Sequence, residues 1–201
     1  VTLALTAPKV SLDWPGELVL VLDVSASMAA TDVNPSRLER AKTLAREYLA
    51  ASPRAVLAVA GNQVQTFGPA PGQNLLGHLE GLQPTATSAN LRQAIVKGRA
   101  LLPGARVLTI ADQAPPPETD GYLNVAGNGA NVGITAIGPG FVALANAGPG
   151  LWQGEVWVDG QRYALEVPAG GFSSLEVPSS TPSARILSSD VLALDNQAGF
   201  S

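Results

Sequence analysis

The chain has 201 residues, a formal net charge of −4 and 14% charged residues, enough material for a sizeable domain plus a small companion, each with a real core. Its 12 Lys and Arg are scattered rather than gathered into a stripe, which excludes a nucleic-acid footprint. With 0 Cys, it offers no disulfide, thiolate metal centre or Cys nucleophile.

The chain opens on the apolar stretch "VTLALTAP", and residues 1–16 read as a lead segment, either an ordinary strand or the tail of a membrane helix. No apolar run reaches the roughly 18 to 20 residues that span a bilayer. Leu18 to Leu22 is a continuous apolar run of the kind that forms a strand buried on both faces. The first helix follows, because "SRLE" sets Ser36 three residues before Glu39 as a capping box, with Pro35 in the preceding turn. Leu38, Ala41, Ala45, Tyr48 and Leu49 mark its apolar face.

Val56 to Ala60 is the second buried run, and "VLAVAGNQVQTFG" reads as two strands around Gly61-Asn62, an antiparallel hairpin within an otherwise parallel sheet. "QNLLGHLEGL" reads as a second helix carrying the lone His78. "ANLRQAIVKGRALL" reads as a third, capped by Ser88 or Asn90, with Leu91, Ile95 and Leu102 inward. Val107 to Ala111 is the third buried run, and "GYLNVAG" and "NVGITAIG" supply two more strands.

After about Gly138 the helical periodicity ends and short alternating segments separated by Gly and Pro take over, which sets a boundary near Gly138 to Gly140. "EVWVDGQRYALEV" reads as a hairpin turning at Asp159-Gly160, followed by the strands "FSSLEV", "ARILSS" and "LALDN". Residues 139–201 are therefore expected to form a small all-β sandwich of the immunoglobulin or fibronectin-III kind, with Trp152 and Trp157 in its packing.

In an open α/β sheet, ligands gather where strands deliver their carboxyl ends. Asp23 ends the first buried run and Asp112 the third, and Ser25 and Ser27 follow Asp23 directly. A Thr or Ser from "PTATSAN", residues 84–90, completes a rim of hard oxygen donors. Such a set suits Mg²⁺, which takes about six oxygens at about 2.1 Å, and leaves the ion electrophilic toward an outside carboxylate. The competing reading is that these residues cap backbone groups at strand-to-helix turns. Capping alone explains Thr85, Thr87 and Ser88 equally well. Asp32 fits either turn formation or support of the metal loop. Asp190 and Asp195 in "SSDVLALDN" read as an edge strand ending in a turn rather than as a Ca²⁺ site.

The D-x-S-x-S run after an apolar strand, then a capped helix, a hairpin and a later strand ending in Asp, resembles a von Willebrand factor type A domain with its metal-ion-dependent adhesion site. The resemblance covers residues 17–138. It implies a Rossmann-like, three-layer α/β fold with a mostly parallel sheet, followed here by the small all-β sandwich. It also implies a cation, Mg²⁺ or else Mn²⁺ or Ca²⁺, held by Asp23, Ser25, Ser27, Asp112 and a loop hydroxyl. That hydroxyl is assigned to Thr87, with Ser88 and Asp32 in support.

The sequence departs from the family pattern in two places. Counting back from Ala94-Ile95 puts Ala89 at the usual Thr position, and "ADQAPPP" stands where the family tends to carry Asp-Gly. "DVSASMAATDVNPSRLERAK", "NVGITAIG" and "SSDVLALDNQA" are further similar to bacterial membrane-anchored proteins of the aerotolerance (Bat) type. That likeness implies a longer natural chain tethered in the cell envelope, with "VTLALTAP" left from a membrane segment.

The implied function is non-enzymatic: the cation accepts an Asp or Glu carboxylate from a protein partner. One alternative is a scaffold whose site is metal-free. Another is a Mg²⁺-dependent phosphoryl-transfer hydrolase, disfavoured because Ser25 stands where a second carboxylate would act as general acid. A Ser-His-Asp hydrolase would need His78 beside Ser25, which no spacing indicates.

Overall fold

The three apolar runs form the centre of a five-stranded sheet in the order β3-β2-β1-β4-β5. Its strands are β1 (Leu18–Asp23), β2 (Ala55–Ala60), β3 (Val64–Ala70), β4 (Arg106–Ala111) and β5 (Gly121–Asn124). β1 runs parallel to both β2 and β4, β5 runs parallel to β4, and β3 returns antiparallel to β2. Every residue of β1 and β2 is buried, which is why neither shows alternation in the sequence. The computed structural model describes residues 16–127, 129, 131–187, 192 and 195–200. The lead segment before residue 16 and Asp190 lie outside the described residues.

Three helices accompany the sheet: α1 (Arg37–Ala51), α2 (Gly77–Glu80) and α3 (Leu91–Leu101). The capping box at the start of α1 forms, with the Glu39 amide donating to Ser36 Oγ at 3.2 Å, and Leu38, Ala41, Ala45, Tyr48 and Leu49 are buried as the pattern requires. Asn90 caps α3 by accepting from the Gln93 amide at 3.1 Å. Leu91, Ala94 and Ile95 of that helix pack on Val19, Val21, Val56 and Ala58 of the sheet. Gly98 lets the helix lie close to β1, since a Cβ there would overlap Val19 Cγ1. Among the described residues no helix is long and apolar enough to cross a membrane.

The stretch read as one second helix is broken. It forms a 3₁₀ turn over Gly72–Leu75 and then the single turn of α2. Gly72 is wedged against the end of α1, where a Cβ would overlap the Leu49 carbonyl, and its amide donates to Ser52 O at 3.1 Å. That docking fixes the chain direction before α2 begins.

By their internal contacts the residues sort into two compact units, one carrying the five-stranded sheet up to Asn124, the other made of Ser25–Arg40 and the chain from Val125 onward. The second unit holds two antiparallel sheets, ordered β10-β7-β6 and β12-β11-β8-β9. Their strands are β6 (Val132–Gly138), β7 (Phe141–Asn146), β8 (Trp152–Val158), β9 (Gln161–Val167), β10 (Phe172–Glu176), β11 (Ser183–Ile186) and β12 (Gln197–Gly199). Val132, Val142 and Leu144 of one sheet share a core with Val156, Val158, Val167, Ala184 and Ile186 of the other, a β-sandwich. Asp159 and Gly160, with φ of 49° and 82°, make the expected hairpin turn.

Two expectations need correction. "NVGITAIG" does not continue the first sheet: as β6 it pairs antiparallel with β7, so the boundary expected at Gly138 to Gly140 falls inside a hairpin. At the C-terminal end the strand among the described residues is Gln197–Gly199; of "LALDN", Leu192, Asp195 and Asn196 are described and lie in no strand, and the rest of the stretch lies outside the described residues.

Candidate functional site

The register of the first sheet brings two acidic residues to one end. Asp23 closes β1 opposite Ala60 of β2, and Leu22 lies opposite Ile110 of β4, so Asp112 directly follows the end of the neighbouring strand. Asp23 is 0% exposed, a heavy desolvation cost for a carboxylate unless its charge is answered. Gln113 Nε2 donates to Asp23 Oδ2 at 3.0 Å.

Tyr122 of β5 fixes this loop. Its hydroxyl donates to Gln113 O at 2.9 Å and lies 3.3 Å from Ala111 O, so it brackets Asp112 on both sides. Burial raises the Tyr122 pKa, and the charges of Asp112 and then Asp23 raise it further, so both carboxylates act on the same hydroxyl. Sequence reasoning missed Tyr122 and Gln113. An aromatic in a short strand gives no sign that its hydroxyl reaches the next loop.

Ser25 and Ser27 lie on the turn that follows β1. The chain there enters a 3₁₀ turn over Ala26–Ala29, with the Met28 amide on Ser25 O at 3.0 Å and the Ala30 amide on Ser27 O at 3.1 Å. Ser25 occupies the cap position yet makes no side-chain cap hydrogen bond, so the capping explanation does not account for its hydroxyl. Ser25 Oγ instead lies 3.1 Å from Ser27 Oγ, and Ser25 is 4% exposed.

In the loop before α3, the structure brings Thr85 to the end of β1 and leaves Thr87 outside. Both the amide and the hydroxyl of Thr85 donate to Val24 O, at 2.7 Å and 3.0 Å. Gly61 makes room for it, since a Cβ there would lie 2.9 Å from Thr85 Cγ2 and 3.0 Å from Val24 Cγ2. Thr87 is exposed, with its hydroxyl 3.5 Å from that of Thr85, and Ser88 is exposed as well. Thr87 and Ser88 line an open cleft of about 610 Å³ together with Asn62, Asn90, Arg92 and Gln113.

Asp32 is held by groups on the turn before α1 and on the chain after Val125. Its side chain is fully buried and takes both Nε and Nη2 of Arg37 at 2.8 Å, and the Gly127 amide at 2.9 Å. The Arg37 hydrogen bonds hold its pKa below the usual 3.8 against the opposing effect of burial, and the Gly129 and Gly127 amides add to the lowering. His78 is exposed and stacks on Phe67 with ring centroids 4.0 Å apart, which leaves it a surface residue of the hairpin face.

The donors at the strand ends are carboxylates, hydroxyls and an amide, all hard oxygen or neutral nitrogen. Among the described residues, no three His, Cys, Asp or Glu side chains gather, so a cation here would rely on hydroxyls as much as on charge.

A family model described as the von Willebrand factor type A domain matches residues 18–114. The solved structures similar to this chain include two from Bacteroides species. One is an aerotolerance-related membrane protein from Bacteroides fragilis, 25% identical over 50% of this chain and 55% of that one, with a TM-score of 0.43. The other is the conserved hypothetical protein BatB from Bacteroides thetaiotaomicron, 27% identical over 48% of this chain and 53% of that one, with a TM-score of 0.42. The chain thus spans about half the length of these structures. No curated protein sequence matches it.

Proposed function

Residues 18–114 belong to the von Willebrand factor type A family, and from that premise we propose that the chain is a protein-interaction module that captures an Asp or Glu carboxylate of a protein partner through a divalent cation. Asp23, Ser25, Ser27 and Asp112 would hold the ion, with Thr85 in place of Thr87 as the loop hydroxyl. When bound, the ion supplies a positive charge that a partner's carboxylate can complete.

The observation that carries this reading is that buried Asp23 closes β1 and Asp112 directly follows the adjacent parallel strand β4, with Thr85 docked on the residue after Asp23. The protein's own groups have separate tasks. Asp23 contributes a buried charge that favours a cation, the serine pair contributes neutral oxygens, and Tyr122 holds the Asp112 loop in place. A set with only two carboxylates keeps the ion underneutralised, which suits capture of a third from outside. A membrane-tethered setting in a bacterial envelope is part of the same proposal, carried over from the sequence resemblance of "DVSASMAATDVNPSRLERAK" and "SSDVLALDNQA" to Bat-type proteins.

Calorimetric titration of Mg²⁺ and Mn²⁺ tests the reading. Heat is expected with the native chain, lost with Asp23→Ala, reduced about tenfold in affinity with Thr85→Ala, and kept with Thr87→Ala. Absence of heat in the native chain would favour a metal-free scaffold. Turnover in a phosphatase or esterase screen, abolished by Asp23→Asn, would instead make the protein a hydrolase.

A further inference from the structure

We propose that the outer face of the sheet β12-β11-β8-β9 carries a carboxylate-binding site, in which Arg185, stacked on Trp157, takes an Asp or Glu side chain of a protein partner. The site uses none of the residues at the strand ends of the first sheet and needs no cation.

Strand alternation builds it. Val156 and Val158 of β8 are buried in the core that the two sheets of the sandwich share, so Trp157 between them faces outward and is half-buried. Trp152, in step with the two valines, lies against that core, so the packing expected of both tryptophans holds for Trp152 and not for Trp157. The register sets Trp157 opposite Arg162 of β9 on one side and Arg185 of β11 on the other. Both guanidiniums close on the ring, with Cζ of Arg162 at 4.5 Å and Cζ of Arg185 at 5.1 Å from its centroid.

The two arginines differ in what answers their charge. Arg162 has Glu155 at 3.8 Å, whereas among the described residues Arg185 has no carboxylate partner. The Trp157 Nε1 is buried and has no acceptor. Arg185 and Trp157 therefore bring N–H donors to this face and no acceptor of their own. Stacking holds a guanidinium by its flat side and leaves its N–H edge for a planar, two-oxygen acceptor, so little side-chain freedom remains to be lost when a carboxylate arrives.

The face is hollow beside this pair. Ser183 of β11 lies opposite Gly199 of β12, two small residues next to the larger pair Arg185 and Gln197, and all four line a trough of about 580 Å³ with Trp157 and Asp159. Asp159 adjoins Ser183, donating its amide to Ser183 O at 3.0 Å and accepting the Ser183 amide on Oδ1 at 2.9 Å. Its negative charge directs a ligand's carboxylate toward Arg185 and suits a neighbouring backbone N–H of the same ligand. A protein segment brings both groups, whereas a small inorganic anion brings only the first, and this favours an acidic segment as the occupant.

The test is an NMR titration of the full chain in metal-free buffer, read at the Trp157 indole N–H, whose resonance is assigned with Trp157→Phe. The probes are an acetylated, amidated hexapeptide of alternating Ala and Glu, its counterpart with Gln in place of Glu, and inorganic phosphate. A saturable shift is expected with the Glu peptide alone. Arg185→Ala and Arg185→Gln, both at an exposed position, are expected to weaken that binding about tenfold. No shift with the Glu peptide, equal binding of the Gln peptide, or unchanged affinity in both variants would overturn the site. A phosphate response as strong as the peptide's would make this a general anion site and overturn the assignment to a protein partner. With no metal present, each of these outcomes is independent of the cation reading.

Discussion

At the scale of single residues, Asp32 shows how a buried charge is used for architecture. Its two oxygens accept from Arg37 and from the Gly127 amide, joining the turn before α1 to the chain after Val125 within one unit. Gly127 is required for this approach, because a Cβ there would lie 2.6 Å from Asp32 Oδ2. Removing the charge takes the paired carboxylate away from the largely buried Arg37, so Asp32→Asn is expected to cost about 3 kcal/mol at pH 7, read by urea unfolding. The pH dependence follows from the lowered pKa. The unfolded chain binds the proton more tightly, so the stabilisation is complete above the unfolded value of 3.8 and is lost as pH falls through the lower folded value. The gap between native chain and variant should therefore narrow only below about pH 3.8; a gap that closes near neutral pH would contradict the assignment.

At the scale of elements, Gly98 marks where helix and sheet come closest. A methyl group there meets Val19 Cγ1 near the start of β1, whose own position is fixed by neighbours on both sides. The gain in helix propensity from Gly98→Ala, about 1 kcal/mol, is set against overpacking that costs about 1 to 3 kcal/mol. Net destabilisation is expected by thermal denaturation, and a rise in midpoint would show that α3 can back away. Much of this element was legible beforehand. Leu91, Ile95 and Leu102 were spaced for one buried face, and the cap at Asn90 was among the two candidates. The reason for Gly98 was not, because a close approach depends on a residue 79 positions away in the chain. The same holds at the site. Asp23 and Asp112 could be placed by their strand ends, whereas the docking of Thr85 on Val24 depends on the room left by Gly61, which meets the loop only in the folded chain.

At the scale of the whole molecule, the lesson concerns which strands belong together. β5 and β6 are both moderately apolar, and nothing in their own residues distinguishes a parallel partner of β4 from an antiparallel partner of β7. The Gly-Pro-Gly run at 138–140 reads as a linker by composition, yet it makes a hairpin turn whose backbone is tied down. The Gly140 amide donates to Ser179 O at 2.8 Å, and its carbonyl accepts from the Val177 amide at 2.8 Å. Linkers are nicked by proteases because their backbone can leave the surface and enter an active site, whereas a hydrogen-bonded turn in the middle of a sheet cannot do so without opening its strands. Limited digestion with a broad-specificity protease is therefore expected to spare residues 138–140 for as long as the sandwich stays folded. Destabilising its core with Leu144→Ala, a fully buried position expected to lose about 2 to 5 kcal/mol, should raise the cleavage rate there in proportion to the population that opens. Rapid cutting at 138–140 in the native chain, yielding two fragments that remain folded, would restore the boundary that composition suggests and remove β6 from the second unit.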